Sequence, residues 1–260
     1  MKDKIEKAKT PEEKELNDKI SELNSLETEL AQKELDLATL MAELQALDSR
    51  YLRIVGAKFL ELDQIKAEIA EYLATQQPEN FAAQEEAKQA RERADQTARD
   101  TGDISEPKKV EAFEPTKEIR ELYREIAKKI HPDLAIDEKD RERRTKVMAE
   151  VNQAYREGDY ERLETILREW ETSPEAIEGE DVGSRLVRTI RMIARVSERI
   201  NQIEQEFQRL HSTPIYELKI KVEEASSQGR DLFMEMVEQV EIEIEEAREH
   251  LNSLKAGQPG

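Results

Sequence analysis

A leucine at every seventh position constrains this chain more than any other feature. Leu16, Leu23, Leu30, Leu37 and Leu44 keep strict register, and Tyr51, Ile65 and Tyr72 fall in the same phase. An apolar repeat of seven traces one stripe of an α-helix; a strand, whose side chains alternate with a period of two, would scatter it over both faces. Ile20, Met41, Val55, Leu62 and Ile69 occupy the companion position, which Glu27, Glu34 and Asp48 interrupt. The spacing predicts one helix from about Pro11 to Ala74. Alone, such a helix would hold its leucines in water, so it needs a second copy or another segment of the chain. A parallel homodimer through this N-terminal coiled coil is the first expectation.

The chain as a whole carries too little apolar material for a large globular core. Of 260 residues, 37% are hydrophobic and 39% charged, with only 8 Gly and 8 Pro. Long, thin helical structure fits this balance, and the predicted fold class is all-α. A formal charge of −19 repels polyanions on average, which argues against nucleic acid or an anionic membrane as a partner of the whole molecule. With no cysteine, disulfides, thiolate nucleophiles and Cys-ligated zinc are excluded. The N-terminal residues form no apolar signal region, and no stretch approaches the roughly 20 apolar residues that span a bilayer. A cytoplasmic location without a membrane span is expected.

Punctuation divides the chain into four consecutive parts: a coiled coil over 1–75, a polar linker over 76–115, a compact helical unit over 116–172 and a last unit over 184–255. The linker holds Pro78, Gly102, Pro107 and Pro115, and its middle, Glu85 to Arg99, is helical by propensity but shows no continuous apolar face. Ser173-Pro174 and Gly179 to Gly183 mark a further break. In the last unit, Ile193, Val196, Ile200, Ile203, Phe207 and Leu210 form one helical stripe, and Phe233, Val237, Val240, Ile244, Ala247, Leu251 and Leu254 form another. The short connection through His211-Ser212-Thr213-Pro214 predicts that the two fold back as an antiparallel hairpin. Arg185, Arg188 and Arg191 would then face Glu241, Glu238 and Glu235.

The unit over 116–172 has a different pattern. Ile119, Leu122, Tyr123, Ile126, Ala127 and Ile130 line one face of a first helix, and Val147, Met148, Val151, Ala154 and Tyr155 line its mate. The two should form an antiparallel pair whose tip is the loop that starts at His131-Pro132-Asp133. Pro132 restricts His131 and ends the first helix, making the tip a fixed, exposed corner. There His131 offers two ring nitrogens and Asp133 an acceptor-only carboxylate suited to an arginine of another protein.

The run Tyr123-Arg124-Glu125-Ile126-Ala127-Lys128-Lys129-Ile130-His131-Pro132-Asp133, followed by Met148, Val151, Ala154 and Tyr155, resembles the second helix, loop and third helix of the J domain. The resemblance covers about Thr116 to Tyr155. It implies a co-chaperone whose His131, Pro132 and Asp133 dock on an Hsp70-type chaperone and promote ATP hydrolysis. It also implies that Arg120, Arg124, Lys128 and Lys129 meet an acidic surface of that partner. Three departures stand out. The family's first helix has no counterpart, since Val110 to Pro115 is too short and polar. Leu134 stands where a basic residue is usual, and no Gly/Phe-rich or Cys-rich module is present, as in specialised J proteins that serve particular clients.

To cover the side left open by the missing helix, the sequence offers Leu163, Ile166, Leu167 and Trp170 on one face of the stretch from Asp159 to Trp170.

Two other classes of function are compatible with parts of the sequence. A coiled-coil adaptor that keeps the hairpin only as a fold element is supported by the missing first helix. Nucleic-acid binding through Arg141, Arg143, Arg144 and Lys146 lacks interleaved aromatics, and these read better as a solvated helix start. No cofactor or metal is expected and no enzyme is indicated, since the chain has no Gly-rich phosphate loop, no histidine pair at metal spacing and no nucleophile with a base. His211 and His250 read as ordinary helix-end residues.

Overall fold

The computed structural model describes residues 10–102, 113–135, 137–171 and 182–257. Every regular element among them is helical, as the composition demands. None of these helices is long and apolar enough to cross a membrane. In chain order they are α1 (Pro11–Tyr51), a π-turn (Leu52–Gly56), α2 (Ala57–Gln76), α3 (Phe81–Thr101), α4 (Lys117–Ile130), a 3-10 turn (Pro132–Leu134), α5 (Glu138–Glu157), α6 (Tyr160–Glu171), α7 (Val182–His211), α8 (Pro214–Ser227) and α9 (Leu232–Ala256). The breaks expected at Pro107, at Ser173-Pro174 and from Gly179 into the start of α7, and the segment Val110 to Ala112, lie outside the described residues apart from Val182 and Gly183.

These elements gather into two compact units, each built from separate stretches of chain rather than from the four consecutive parts the punctuation suggested. The first draws on Met1–Glu43 and Phe113–Ser212, the second on Leu44–Ala112 and Thr213–Gly260.

In the first unit α1 carries two apolar faces. Ala31 and Leu35, with Ala38 beside them, join the buried faces of α4, α5 and α6 in one core that includes Tyr123, Ile126, Val151 and Tyr155. On its other side the heptad leucines Leu23, Leu30 and Leu37 pack with Val196, Ile200 and Ile203 of α7. The stripe expected to be covered by a second copy is therefore covered within the chain. The reason is supply: α7 brings a matching seam, and burying it internally needs no association entropy. Local signals agree with the boundaries. Thr116 caps α4 by accepting the Ile119 N–H at 3.3 Å, and Asp137 caps α5. Gly158, at φ +69, ends α5 in the left-handed region that a side chain would strain. Asp159 then caps α6 at the Arg162 N–H, 2.9 Å away. α6 does cover the hairpin, through Leu163 and Ile166.

In the second unit the π-turn is the pivot of packing. It continues the helical course of α1 into α2 but adds a residue to one turn, as π-turns do. Val55 in that turn is fully buried with Phe233 and Val237 of α9, and Leu218 and Val222 of α8 lie against the same cluster. Further along, Leu62 and Ile65 of α2 pack with Val240, Ile244 and Leu251 of α9. The seams of α7 and α9, expected to close on each other, are thus filled by α1 and by α2. The expected arginine partners of two glutamates are replaced accordingly: Glu241 pairs with Lys58 at 2.8 Å and Glu235 with Arg230 at 2.7 Å. The second half of the expected hairpin is itself split, because Gly229, at φ +74, turns the chain between α8 and α9.

The stretch read as a linker is largely α3, packed along α2. Its packing face is made of small residues rather than the large apolar ones that mark a seam: Ala87 and Ala94 are buried, and Thr97 hydrogen-bonds Asp63 at 2.8 Å. Arg91 forms a forked pair with Glu71 at 2.8 and 2.9 Å. The end of α3 comes close to Gly56 of the π-turn, where an added Cβ would lie 2.9 Å from Thr101 Cγ2. Gly56→Leu should therefore force α3 away from the π-turn and cost about 1–3 kcal/mol, the usual range for overpacking. A lowered urea midpoint of the full chain would register it, whereas Gly102→Ala, with open space around it, probes only backbone strain at φ +66.

Candidate functional site

The site begins with Pro132, which cannot continue the hydrogen-bond ladder of α4. The chain leaves α4 at His131 (φ −52, ψ 136) and makes one 3-10 turn before α5. The turn folds His131 onto its own backbone: Nδ1 accepts the Asp133 N–H at 3.1 Å. That bond assigns the ring proton to Nε2. Nε2 then donates to Glu34 Oε1 of α1, 2.9 Å away. The same carboxylate is held from the other side by Arg199 of α7, with Nε 2.8 Å from Oε1 and Nη2 3.3 Å from Oε2. Arg199 continues to Glu206 at 2.9 Å.

His131 is consequently 5% exposed and Glu34 7%. The exposed corner expected from sequence is a covered one, because α1 and α7 close over it. Burial pushes the Glu34 carboxyl up, but the hydrogen bonds from His131 and Arg199, together with the Arg199 charge, outweigh it. The group ionises below the usual carboxylate range.

Other residues finish the enclosure. Leu134, at the position where the J-domain resemblance leads one to look for a basic side chain, is buried in the α1–α7 cluster. Arg195 of α7 donates to the Ala135 carbonyl at 3.2 Å. Arg144 of α5 donates to the Lys129 carbonyl at 3.0 Å, and its guanidinium and that of Arg143 lie over the Trp170 ring at 5.0 and 4.5 Å. These two arginines of the basic run thus serve to tie α5 to α6. Asp133 is less enclosed: its carboxylate has Arg141 at 3.6 Å, a loose pair at a partly open position.

Of the predicted basic residues, Arg124 donates to Gln32 at 3.1 Å and Lys128 to Thr28 at 3.0 Å, so both turn toward α1. Lys129 pairs with Glu125 and Glu171. Arg120 is exposed and lines a shallow pocket of about 400 Å³ with Lys117, Asp36 and Glu43. No group of side chains suited to a metal ion occurs among the described residues.

Three site residues were not legible as such in the sequence, Glu34, Arg195 and Arg199. A signal for the first was present: a glutamate inside an apolar seam must find a partner or stay out of the core. Glu27, a second interruption of the same seam, is half-buried, and burial raises its carboxyl against the opposing pull of Lys128 and Arg144. Arg195 and Arg199 carried no signal, being two arginines among several on α7.

No family model matches this chain, and no curated protein or solved structure matches it.

Proposed function

We propose that this all-α chain is a J-domain co-chaperone of the cytoplasm, acting on an Hsp70-type chaperone through His131, Pro132 and Asp133. The observation that carries the reading is the α4–α5 pair itself. Two helices with tyrosines at matching depths, Tyr123 and Tyr155, at 4.7 Å between ring centroids, meet at a His-Pro-Asp turn, as the resemblance requires. Tyr123 also donates to Asn152 of α5 at 2.6 Å, which sets the register of the two helices. The pair's open side is closed by α1 and α6, so the missing first helix of the family leaves no exposed core. Arg120 and Lys129 would supply the basic face toward an acidic partner, and Arg124 and Lys128 would join it on exchanging their bonds to α1 for that partner.

Acceleration of ATP hydrolysis by the Hsp70-type chaperone of the same organism is the expected result; His131→Gln should abolish it but also lower the unfolding midpoint, because it disturbs the buried bond to Glu34, whereas Asp133→Asn, at a partly open position with Arg141 at 3.6 Å, should abolish it with helix content and midpoint near wild type. Absence of stimulation from both the wild type and a variant with the site uncovered would defeat the proposal. A second reading, a coiled-coil adaptor that retains the hairpin as a fold element, is favoured by the burial of His131. It predicts that function in cells survives His131→Gln and is lost when the α1 seam is disrupted.

A further inference from the structure

The residues that cover the His131-Pro132-Asp133 turn come from two helices with different duties. α1 supplies Glu34 and also belongs to the hairpin's core through Ala31 and Leu35. α7 supplies Arg199 and Arg195, yet no α7 residue belongs to that core among the described residues. α7 is held by its own seam on α1, with Val196, Ile200 and Ile203 packed against Leu23, Leu30 and Leu37, and Leu134 is drawn into the same cluster. The hairpin can therefore keep its core if α7 leaves, but the turn cannot be uncovered while α7 stays.

A buried imidazole with both nitrogens already bonded cannot offer its ring to another protein without first breaking those bonds. We propose that α7 is a removable clamp that holds the His131-Pro132-Asp133 turn closed through Arg199, Arg195 and its seam with Leu134, so that the chain is autoinhibited until α7 is displaced. The inference rests on the co-chaperone reading for the activity it regulates. Release of α7 frees Leu134 from its cluster and removes the guanidinium that fixes Glu34, so that the bond from His131 to a Glu34 side chain no longer held in place is what an incoming partner has to displace. Binding to the partner is then weakened in the closed chain by the fraction of time the turn is open.

The test uses the full chain with His211→Gln and His250→Gln, so that His131 is the single histidine. Ile200→Asp places a charge in the α7 seam, and Arg199→Ala removes the contact to Glu34 alone. Two quantities are measured: the rate at which diethyl pyrocarbonate modifies His131, and the concentration giving half-maximal stimulation of ATP hydrolysis by the Hsp70-type chaperone. Ile200→Asp should raise the first and lower the second by about tenfold or more, with Arg199→Ala between it and the parent. Amide protection at Ile126 and Val151 confirms that the hairpin core persists; where Ile200→Asp loses it, the comparison rests on Arg199→Ala. Equal His131 reactivity in parent and variants would overturn the clamp. Freed His131 with an unchanged half-maximal concentration would also overturn it and leave the co-chaperone reading standing. Freed His131 with no stimulation at any concentration would overturn the co-chaperone reading and the clamp's role with it.

Discussion

Tyr123→Ala is expected to lower the stability of the first unit by about 3–5 kcal/mol, the range for deleting a fully buried aromatic ring. Tyr123 is completely buried and ties α4 to α5 twice: its ring tilts against Tyr155 and its hydroxyl donates to Asn152. Truncation therefore opens a cavity and leaves the Asn152 carbonyl without its donor. Tyr123→Phe separates the two losses, since it keeps the ring and should cost only about 1 kcal/mol. Trp170, the chain's one tryptophan, lies in the first unit beneath Arg143 and Arg144, so its fluorescence in a urea titration reports this unit alone. A shift below about 1 kcal/mol for the alanine variant would mean that α4 and α5 do not share this core.

Glu34→Ala should cost about 1–3 kcal/mol, because it leaves the buried His131 Nε2–H without its acceptor and the half-buried Arg199 with Glu206 alone. The loss comes from the unpaired groups left behind, not from the strength of the pair itself. Glu34→Leu combined with Arg199→Leu, which removes both charges, should recover part of it. The same carboxylate makes the unit acid-sensitive. Its folded pKa is depressed below the ordinary value of 4.5, so its contribution is fully present above that value and disappears as the pH falls through the lowered folded one. Unfolding midpoints measured between neutral and acidic pH should therefore fall more steeply for wild type than for Glu34→Gln. Parallel curves would show that Glu34 is not held as an ionised group.

Much of the candidate site was legible because its signals are local. The apolar faces of α4 and α5 follow from three- and four-residue spacings, the turn follows from Pro132, and the cover from α6 follows from Leu163 and Ile166. What surrounds the turn was not legible. Glu34 lies 97 residues before His131 along the chain and Arg199 lies 165 beyond Glu34, and no periodicity links positions so far apart. The face of α3 was missed for a different reason. Ala87, Ala94 and Thr97 pack by close approach, and small residues leave almost no hydrophobic contrast against a polar background.

The sequence by itself determined that this protein is all-α, where its principal apolar stripes run and where the hairpin turns, because each depends on residues within a few turns of one another. Only the tertiary structure decided which stripe covers which. Leucine seams of equal period are interchangeable partners, so α1 could have met a second copy, and α7 could have met α9, with no change in the pattern. Shape and charge at particular positions broke that degeneracy: Glu34 in the seam of α1 is matched by Arg199 and His131, and Val55 in the π-turn is matched by Phe233 and Val237. The pairing of α1 with α7 is also what turned an exposed His131-Pro132-Asp133 corner into a closed one.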